Sequence, residues 1–130
     1  MRAVVVTGGR EYDRAEGVRA WVMRLPHRCV VHVGCARGLD RLVRRACEDY
    51  GVPYVRHVAD WECHGRSAGV RRDRRMVLAA VAAGAKELHV WPGGRGTRDC
   101  EAQGARLGLR VVYHDGAGVR RDSRAQGALL

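Results

Sequence analysis

Three short segments of this chain combine glycine with arginine, and each follows a run of apolar residues. They are Gly8-Gly9-Arg10, then Gly34 to Gly38 with Ala36 and Arg37, and Pro92 to Thr97 with Gly93, Gly94, Arg95 and Gly96. Glycine lets backbone amides approach an anion closely, and arginine presents a planar fork to phosphate oxygens. One such loop is weak evidence, because glycine also ends strands. Three of them predict a phosphorylated ligand, with turn glycines and solvated arginines as the alternative.

A polar stretch over residues 59–76 is too long for a simple connector and carries further candidate groups. Asp60, Trp61, Arg66 and Arg72 stand in it as candidate ligand contacts. The indole of Trp61 is suited to stacking on a base, although a single tryptophan more often belongs to a core. The nearby cysteine and histidines match no zinc spacing, so we expect no metal site.

The familiar cofactor motifs are interrupted. GxGxxG would need a glycine where Asp99 stands, and no acidic residue closes the second apolar run, which ends with His32 and Val33, to bind a ribose. GxxxxGK[ST] is also missing from the sequence. The sequence therefore argues against a dinucleotide cofactor and against a P-loop NTPase, and we expect no cofactor.

The elements that must position these loops alternate between strand and helix. Apolar runs predict strands over 2–7, 29–33, 52–58, 87–91 and 109–113, and helical periodicity predicts helices over 14–25, 39–50, 71–83 and 97–107. Because parallel strands need helix-sized connections, this order predicts a Rossmann-like, doubly wound α/β sandwich with a mainly parallel sheet of about five strands. Residues 1–114 would form this domain, and 115–130 a flexible tail. The three glycine loops then share the carboxyl edge, where such sheets bind ligands.

Composition and charge narrow the partners. The chain has 130 residues, which suits one domain, and its net charge is +10 with Lys86 as its single lysine. A basic surface favours a polyanion partner, or is simply solvated. Aromatic residues make up 5%, and single-strand binders rely on aromatic stacking, so nucleic acid is the weaker choice. Five cysteines without a CxxC pair suit a reducing cytoplasm, and no apolar run approaches the ~20 residues that span a membrane.

Taken together, the motifs resemble the SLOG superfamily. The resemblance rests on GGR, on GxARGxD from Gly34 to Asp40, on the segment from Ala59 to Met76, and on PGGRGTxD from Pro92 to Asp99. It is closest to the small YspA/YpsA-related SLOG branch and covers residues 1 to about 114. Relatives in this superfamily pair as dimers, so the resemblance implies a homo-oligomer.

Two better understood groups of the superfamily imply different functions. The LONELY GUY group hydrolyses the N-glycosidic bond of nucleoside 5′-monophosphates, and Arg72 falls on its arginine. Where that group has a catalytic glutamate this chain has Cys100, so the neighbouring Asp99 and Glu101 become the carboxylate candidates. DNA-processing protein A binds single-stranded DNA and shares the loop that ends at Asp40.

A thiol does not replace a carboxylate beside a developing oxocarbenium charge, so the departure at Cys100 argues for binding before catalysis. The sequence thus predicts a module that binds a nucleotide or nucleotide-derived phosphorylated ligand. A phosphoribohydrolase is the first alternative and a single-stranded DNA binder is the second.

Overall fold

A six-stranded sheet forms the centre of the computed structural model, which describes residues 2–115 and 120–122. Its strands are β1 (Arg2–Thr7), β2 (Cys29–Gly34), β3 (Tyr54–His57), β4 (Glu87–Val90), β5 (Arg110–His114) and β6 (Arg120–Asp122). Their order is β3-β2-β1-β4-β5-β6, with five parallel strands and β6 antiparallel to β5. The predicted Rossmann-like fold with a mainly parallel sheet is confirmed. The short β6 lies in the segment predicted as a tail, and the other residues beyond 115 lie outside the described part.

The helices connect the strands largely where the periodicity places them. They are α1 (Ala15–Met23), α2 (Leu39–Tyr50), α3 (Trp61–His64), α4 (Ala68–Ala82) and α5 (Arg95–Arg106), with a 3₁₀ turn at Gly65–Ser67. Two predicted starts are wrong, because α4 begins three residues before 71 and α5 two residues before 97. The turn of α3 was not predicted. These first turns bury few side chains, so apolar periodicity does not report them.

Helices cover both faces of the sheet, with a hydrophobic core on each face. Alternate residues of β1 pack into one core and then the other. Val5 packs in a cluster with Met76 and Val77 of α4, whereas Val6 packs with Val18 of α1 and Val43 of α2. This alternation follows from the period of two in a strand. It explains why the central strands are apolar throughout.

The strand order places a topological switch point at the centre of the sheet. From β1 the chain moves outward to β2 and β3, and then returns to place β4 on the other side of β1. The loops that follow β1, β2 and β4 therefore lie at one edge, next to the crevice where open α/β sheets bind ligands.

Gly38 joins the start of α2 to the loop after β1. The Leu39 amide donates to the carbonyl oxygen of Gly9 at 3.1 Å. Gly38 has a φ of +73°, and a Cβ added to it would lie 2.4 Å from the carbonyl oxygens of both Gly9 and Arg10. Only glycine combines this left-handed conformation with this closeness of two backbones.

We expect Gly38→Ala to lower the free energy of unfolding more than Gly51→Ala. Gly51 ends α2 with a φ of +69° and has open space around it, so alanine there meets left-handed strain alone, about 1–2 kcal/mol. At Gly38 the overlap with backbone atoms adds roughly 1–3 kcal/mol. Urea denaturation of both variants measures the difference, and equal losses would contradict this account of the loop.

Candidate functional site

A pocket of about 260 Å³ opens at the carboxyl edge of the sheet. Four chain segments line it: the loops after β1 and β2, the short α3, and α4. We call it the arginine pocket, and its lining residues are Arg10, Cys35, Ala36, Arg37, Trp61 and Arg72. All of these except Cys35 are residues that the sequence singles out, so the fold brings together candidates that are far apart in the chain.

Arg72 is the most buried arginine side chain of this pocket, with 8% of its surface exposed. Its Nε donates to Asp73 Oδ1 at 2.8 Å. Its Nη1 donates to Cys35 Sγ and to the carbonyl oxygen of His57, both at 3.4 Å. A buried guanidinium needs such partners, because an unpaired buried charge is strongly destabilising. Arg72 is thus held in one position from three different elements.

Gly34, at the end of β2, makes room for this charge cluster. A Cβ on Gly34 would lie 2.5 Å from both Arg72 Nη1 and Asp40 Oδ2. Asp40 is buried, and its Oδ2 accepts from the Ala36 amide at 3.2 Å. Burial raises the pKa of the Asp40 carboxyl, and the Arg72 guanidinium opposes that shift. Asp40 therefore stabilises the loop after β2 through its hydrogen bond with the Ala36 amide.

The outer walls of the pocket are more exposed. Arg37 forms an ion pair with Glu11 at the surface. The guanidinium carbon of Arg10 lies 5.5 Å from the centre of the Trp61 ring, a cation–π geometry. Trp61 itself is 48% exposed, so its indole is not a core residue. Two exposed cations and one aromatic face thus surround the mouth of the pocket.

Two histidines lie behind Arg72. His32 Nδ1 and His57 Nε2 are 2.9 Å apart, so one ring donates and the other accepts. Burial, with the adjacent His32, lowers the pKa of His57 to about 4. The pair is therefore neutral near pH 7 and adds no charge beside the three arginines.

The loop after β4 supports the site without lining the pocket. The Gly9 amide donates to the carbonyl oxygen of Pro92 at 3.0 Å, and a Cβ on Gly9 would lie 2.9 Å from Gly93 Cα. A Cβ on Gly93 would lie 2.1 Å from the Oγ1 of the buried Thr97. Gly94 at the end of this loop, and Arg95 and Gly96 in the first turn of α5, are exposed. Gly8 serves packing as well, since a Cβ there would lie 2.5 Å from Leu39 Cγ.

The candidate carboxylates on α5 point to other partners. Asp99 Oδ2 accepts from Gln103 Nε2 at 3.1 Å, one turn along its own helix. Glu101 accepts from the hydroxyl of Tyr113 on β5. Cys100 is fully buried between them, and burial raises the pKa of its thiol. None of the three is among the described residues that line the arginine pocket.

Two other candidates stay at the surface beside the pocket. The Oδ1 of Asp60 accepts from the Cys63 amide at 3.0 Å and so caps α3. Arg66 is exposed on the 3₁₀ turn that follows. Neither belongs to the lining of the arginine pocket.

A larger cavity of about 1580 Å³ lies beside α1 and does not involve the predicted site. Buried aromatic rings line part of it, including Trp21, His89, Trp91 and His114. The Trp91 and His114 rings stack with centres 3.9 Å apart. None of the glycine-loop residues lines this cavity. The larger of these two cavities is therefore not the one that the predicted arginines line.

Sequence reasoning missed three residues that shape the arginine pocket: Cys35, Arg44 and Asp73. Arg44 Nη1 donates to the carbonyl oxygen of Gly34 at 2.7 Å. It lies four residues after Asp40 on α2, so helical spacing was an available signal. Asp73 adjoins Arg72 in sequence, but nothing local says that both side chains are buried.

Comparisons with known proteins agree with this architecture. Residues 2–64 match the model of the YspA, cpYpsA-related SLOG family. Gene 61 protein of Mycobacterium phage D29 is 37% identical over 123 residues, covering 86% of this chain and 95% of the relative. The structure of DNA processing protein A (DprA) from Streptococcus pneumoniae superposes with a TM-score of 0.54 at 15% identity. That match covers 92% of this chain and 60% of the DprA chain, so this chain spans somewhat less than two thirds of the length of that protein.

Fold and site together define a Rossmann-like α/β protein whose glycine loops and arginines meet at the carboxyl edge of the sheet. Within that class, the chain belongs to the YspA, cpYpsA-related SLOG family. The family match ends at His64, so it includes the loops after β1 and β2 and stops before Arg72.

The described residues contain no cluster of three or more His, Cys, Asp or Glu side chains placed to hold a metal ion. Nor does any helix in the described ranges have the length and apolar character needed to cross a membrane.

Asp73 should make stability depend on pH. Burial raises its pKa to about 6, and the nearby Asp99 adds to the shift while Arg72 opposes it. Because the folded state binds this proton more tightly than the unfolded chain does, this group's contribution to stability falls as the pH rises from about 4 to about 6. We therefore expect the free energy of unfolding of the wild type, measured in urea titrations, to fall relative to that of Asp73→Asn over that range.

The exposed Asp49→Asn, which removes a surface partner of Arg19, serves as the control for loss of a carboxylate. A wild-type-to-Asp73→Asn difference that stays constant between about pH 4 and pH 7 would contradict the assignment.

Proposed function

We propose that this protein binds a nucleotide or nucleotide-derived phosphorylated ligand in the arginine pocket and acts as a ligand-binding or sensing module. The observation that carries the proposal is the convergence of Arg10, Arg37 and Arg72 with the exposed Trp61 around one small opening. Three guanidinium groups suit the charge and geometry of a phosphate group. An indole face suits a planar base.

The backbone supports the same assignment. The loop from Gly34 to Gly38 leads directly into α2, a helix of 12 residues whose first amides carry a partial positive charge. Asp40 and Arg44 hold that loop in place from α2 itself. The pocket is therefore shaped by the protein's own contacts, which reduces the entropy lost when a ligand is bound.

Binding is better supported than hydrolysis. Cleavage of a glycosidic bond needs a carboxylate near the sugar, and none of the described residues lining the pocket carries one. A phosphoribohydrolase with Asp99 or Glu101 as its carboxylate would need those side chains to leave Gln103 or Tyr113. Single-stranded DNA binding is the third candidate, and it draws on the fold shared with DprA. A homo-oligomer and a cytoplasmic location remain parts of the proposal.

The deciding experiment is calorimetric titration of the protein with AMP as the probe, at two salt concentrations, with inorganic phosphate and a DNA oligomer in parallel. Saturable AMP binding with weak dependence on salt supports the proposal. Binding of DNA alone, lost steeply as salt rises, would replace it with the nucleic-acid function. Chromatography of the same samples for free adenine reports turnover, which would favour the hydrolase.

We expect Arg37→Ala to weaken AMP binding by roughly 10- to 100-fold, the value of one hydrogen bond between charged groups. Arg19→Ala is the matched control, since Arg19 also forms an exposed ion pair, with Asp49, but lies away from the pocket. Equal AMP affinities for the two variants would show that Arg37 does not contact the ligand.

A further inference from the structure

The segment that carries Trp61 is loosely attached to the domain. Residues 60–67, which we call the strap, comprise α3 and the 3₁₀ turn, and no side chain in them is buried. Their hydrogen bonds lie within the strap or reach only the first turn of α4: the Cys63 amide donates to Asp60, the Ser67 hydroxyl donates to the carbonyl oxygen of His64, and Arg71 Nε donates to Ser67 Oγ. A segment with so little buried surface opens at low free-energy cost.

A glycine divides the strap at its middle. Gly65 follows α3 directly and begins the 3₁₀ turn with a φ of +52°, and open space surrounds it. Left-handed glycine at this point lets the two turns change their relative direction without meeting other atoms. The strap thus consists of two short helical turns that meet at Gly65.

Trp61 links the strap to the pocket. One edge of its indole approaches α4, where Cη2 lies 3.6 Å from the position of an added Gly69 Cβ. Its face meets the Arg10 guanidinium, 5.5 Å from the ring centre. Arg10 belongs to the loop after β1, which is tied to α2 and to the loop after β4 by backbone hydrogen bonds of Gly9. The backbone next to Arg10 is therefore firmly held, whereas the segment that carries Trp61 is not.

The contact occupies both groups that the proposed ligand needs. A phosphate requires the guanidinium of Arg10, and a base requires the face of Trp61. In this structure the Arg10 guanidinium and the Trp61 ring contact each other across the mouth of the pocket. Bringing a phosphate to Arg10 weakens its attraction to the indole, because the guanidinium charge is then compensated.

We propose that the contact between Arg10 and Trp61 is a self-inhibiting latch, which a phosphorylated aromatic ligand opens by taking the guanidinium with its phosphate and the indole face with its base. This inference rests on the proposed function. An exposed cation–π contact shifts an equilibrium by only about two- to fivefold, so the latch selects against ligands that offer one group alone without preventing binding of the complete ligand.

The latch is tested first without any ligand, by acrylamide quenching of Trp61 fluorescence. Trp21 and Trp91 are buried, and subtracting a Trp61→Phe reference isolates the exposed indole. Arg10→Ala should raise the quenching constant of Trp61. Arg19→Ala is the control, because Arg19 makes an equivalent contact with Tyr50, at 5.0 Å from that ring centre. Quenching in Arg10→Ala no greater than in Arg19→Ala would overturn the latch.

The second test compares two probes in the wild-type protein. Inorganic phosphate should raise the quenching of Trp61 by removing Arg10 from its face, whereas AMP should lower it by covering that face. Quenching that stays unchanged, or that moves in the same direction with both probes, while dialysis shows AMP bound would overturn the latch and leave the proposed function standing. If dialysis shows no AMP bound, the proposed function fails for this probe. The ligand-free comparison of Arg10→Ala with Arg19→Ala still tests the contact between Arg10 and Trp61.

Discussion

A guanidinium below the protein surface is the constraint on which the arginine pocket depends. Arg72 extends from α4 on one face of the sheet to the loops at the ends of β2 and β3. Its charge is compensated by Asp73, and the room it needs exists because Gly34 lacks a side chain. Without Asp73 the buried guanidinium would lack this charged partner, and a side chain at residue 34 would collide with it. The position of the pocket wall is therefore set by electrostatics as much as by packing.

Glycine serves two purposes in this protein that look the same in the sequence. In the loop after β2 it leaves space for a charge cluster and leads directly into α2. In the contact between Gly9 and Gly93 it lets two backbones approach, so that the loop after β4 supports the loop after β1. A glycine-rich loop next to a strand is thus consistent with a phosphate cradle and with a close crossing of chains, and only the neighbouring atoms tell them apart.

Cys100 stands where the resemblance to the LONELY GUY group led us to expect a carboxylate, and its surroundings bear on the neighbouring positions. The thiol is fully buried, and the flanking Asp99 and Glu101 are engaged with Gln103 and Tyr113. Successive residues on a helix point about 100° apart, so neither neighbour takes over the direction of residue 100. What remains at the pocket is cationic and aromatic, a set of groups that recognises an anion and a ring without supplying the carboxylate chemistry of glycosidic cleavage.

The sequence by itself determined the parallel sheet, the helices between its strands and the edge at which the glycine loops gather. These follow from apolar periodicity and from the length of the connections, which are local properties of the chain. It also marked five of the six lining residues, because the arginines and Trp61 stand out in polar or loop segments and Ala36 lies in a glycine loop. The starts of α4 and α5 escaped it, since their first turns bury too little to leave a pattern.

Only the tertiary structure decided which of the marked residues meet. Whether Arg95 or Arg37 faces the pocket, whether Asp60 caps a helix, and whether Asp73 is buried depend on distances between segments that sequence spacing does not encode. The physical reason is that burial and charge pairing are set by neighbours from other strands and helices. The same arginine is a solvated surface group in one place and the fixed wall of a site in another.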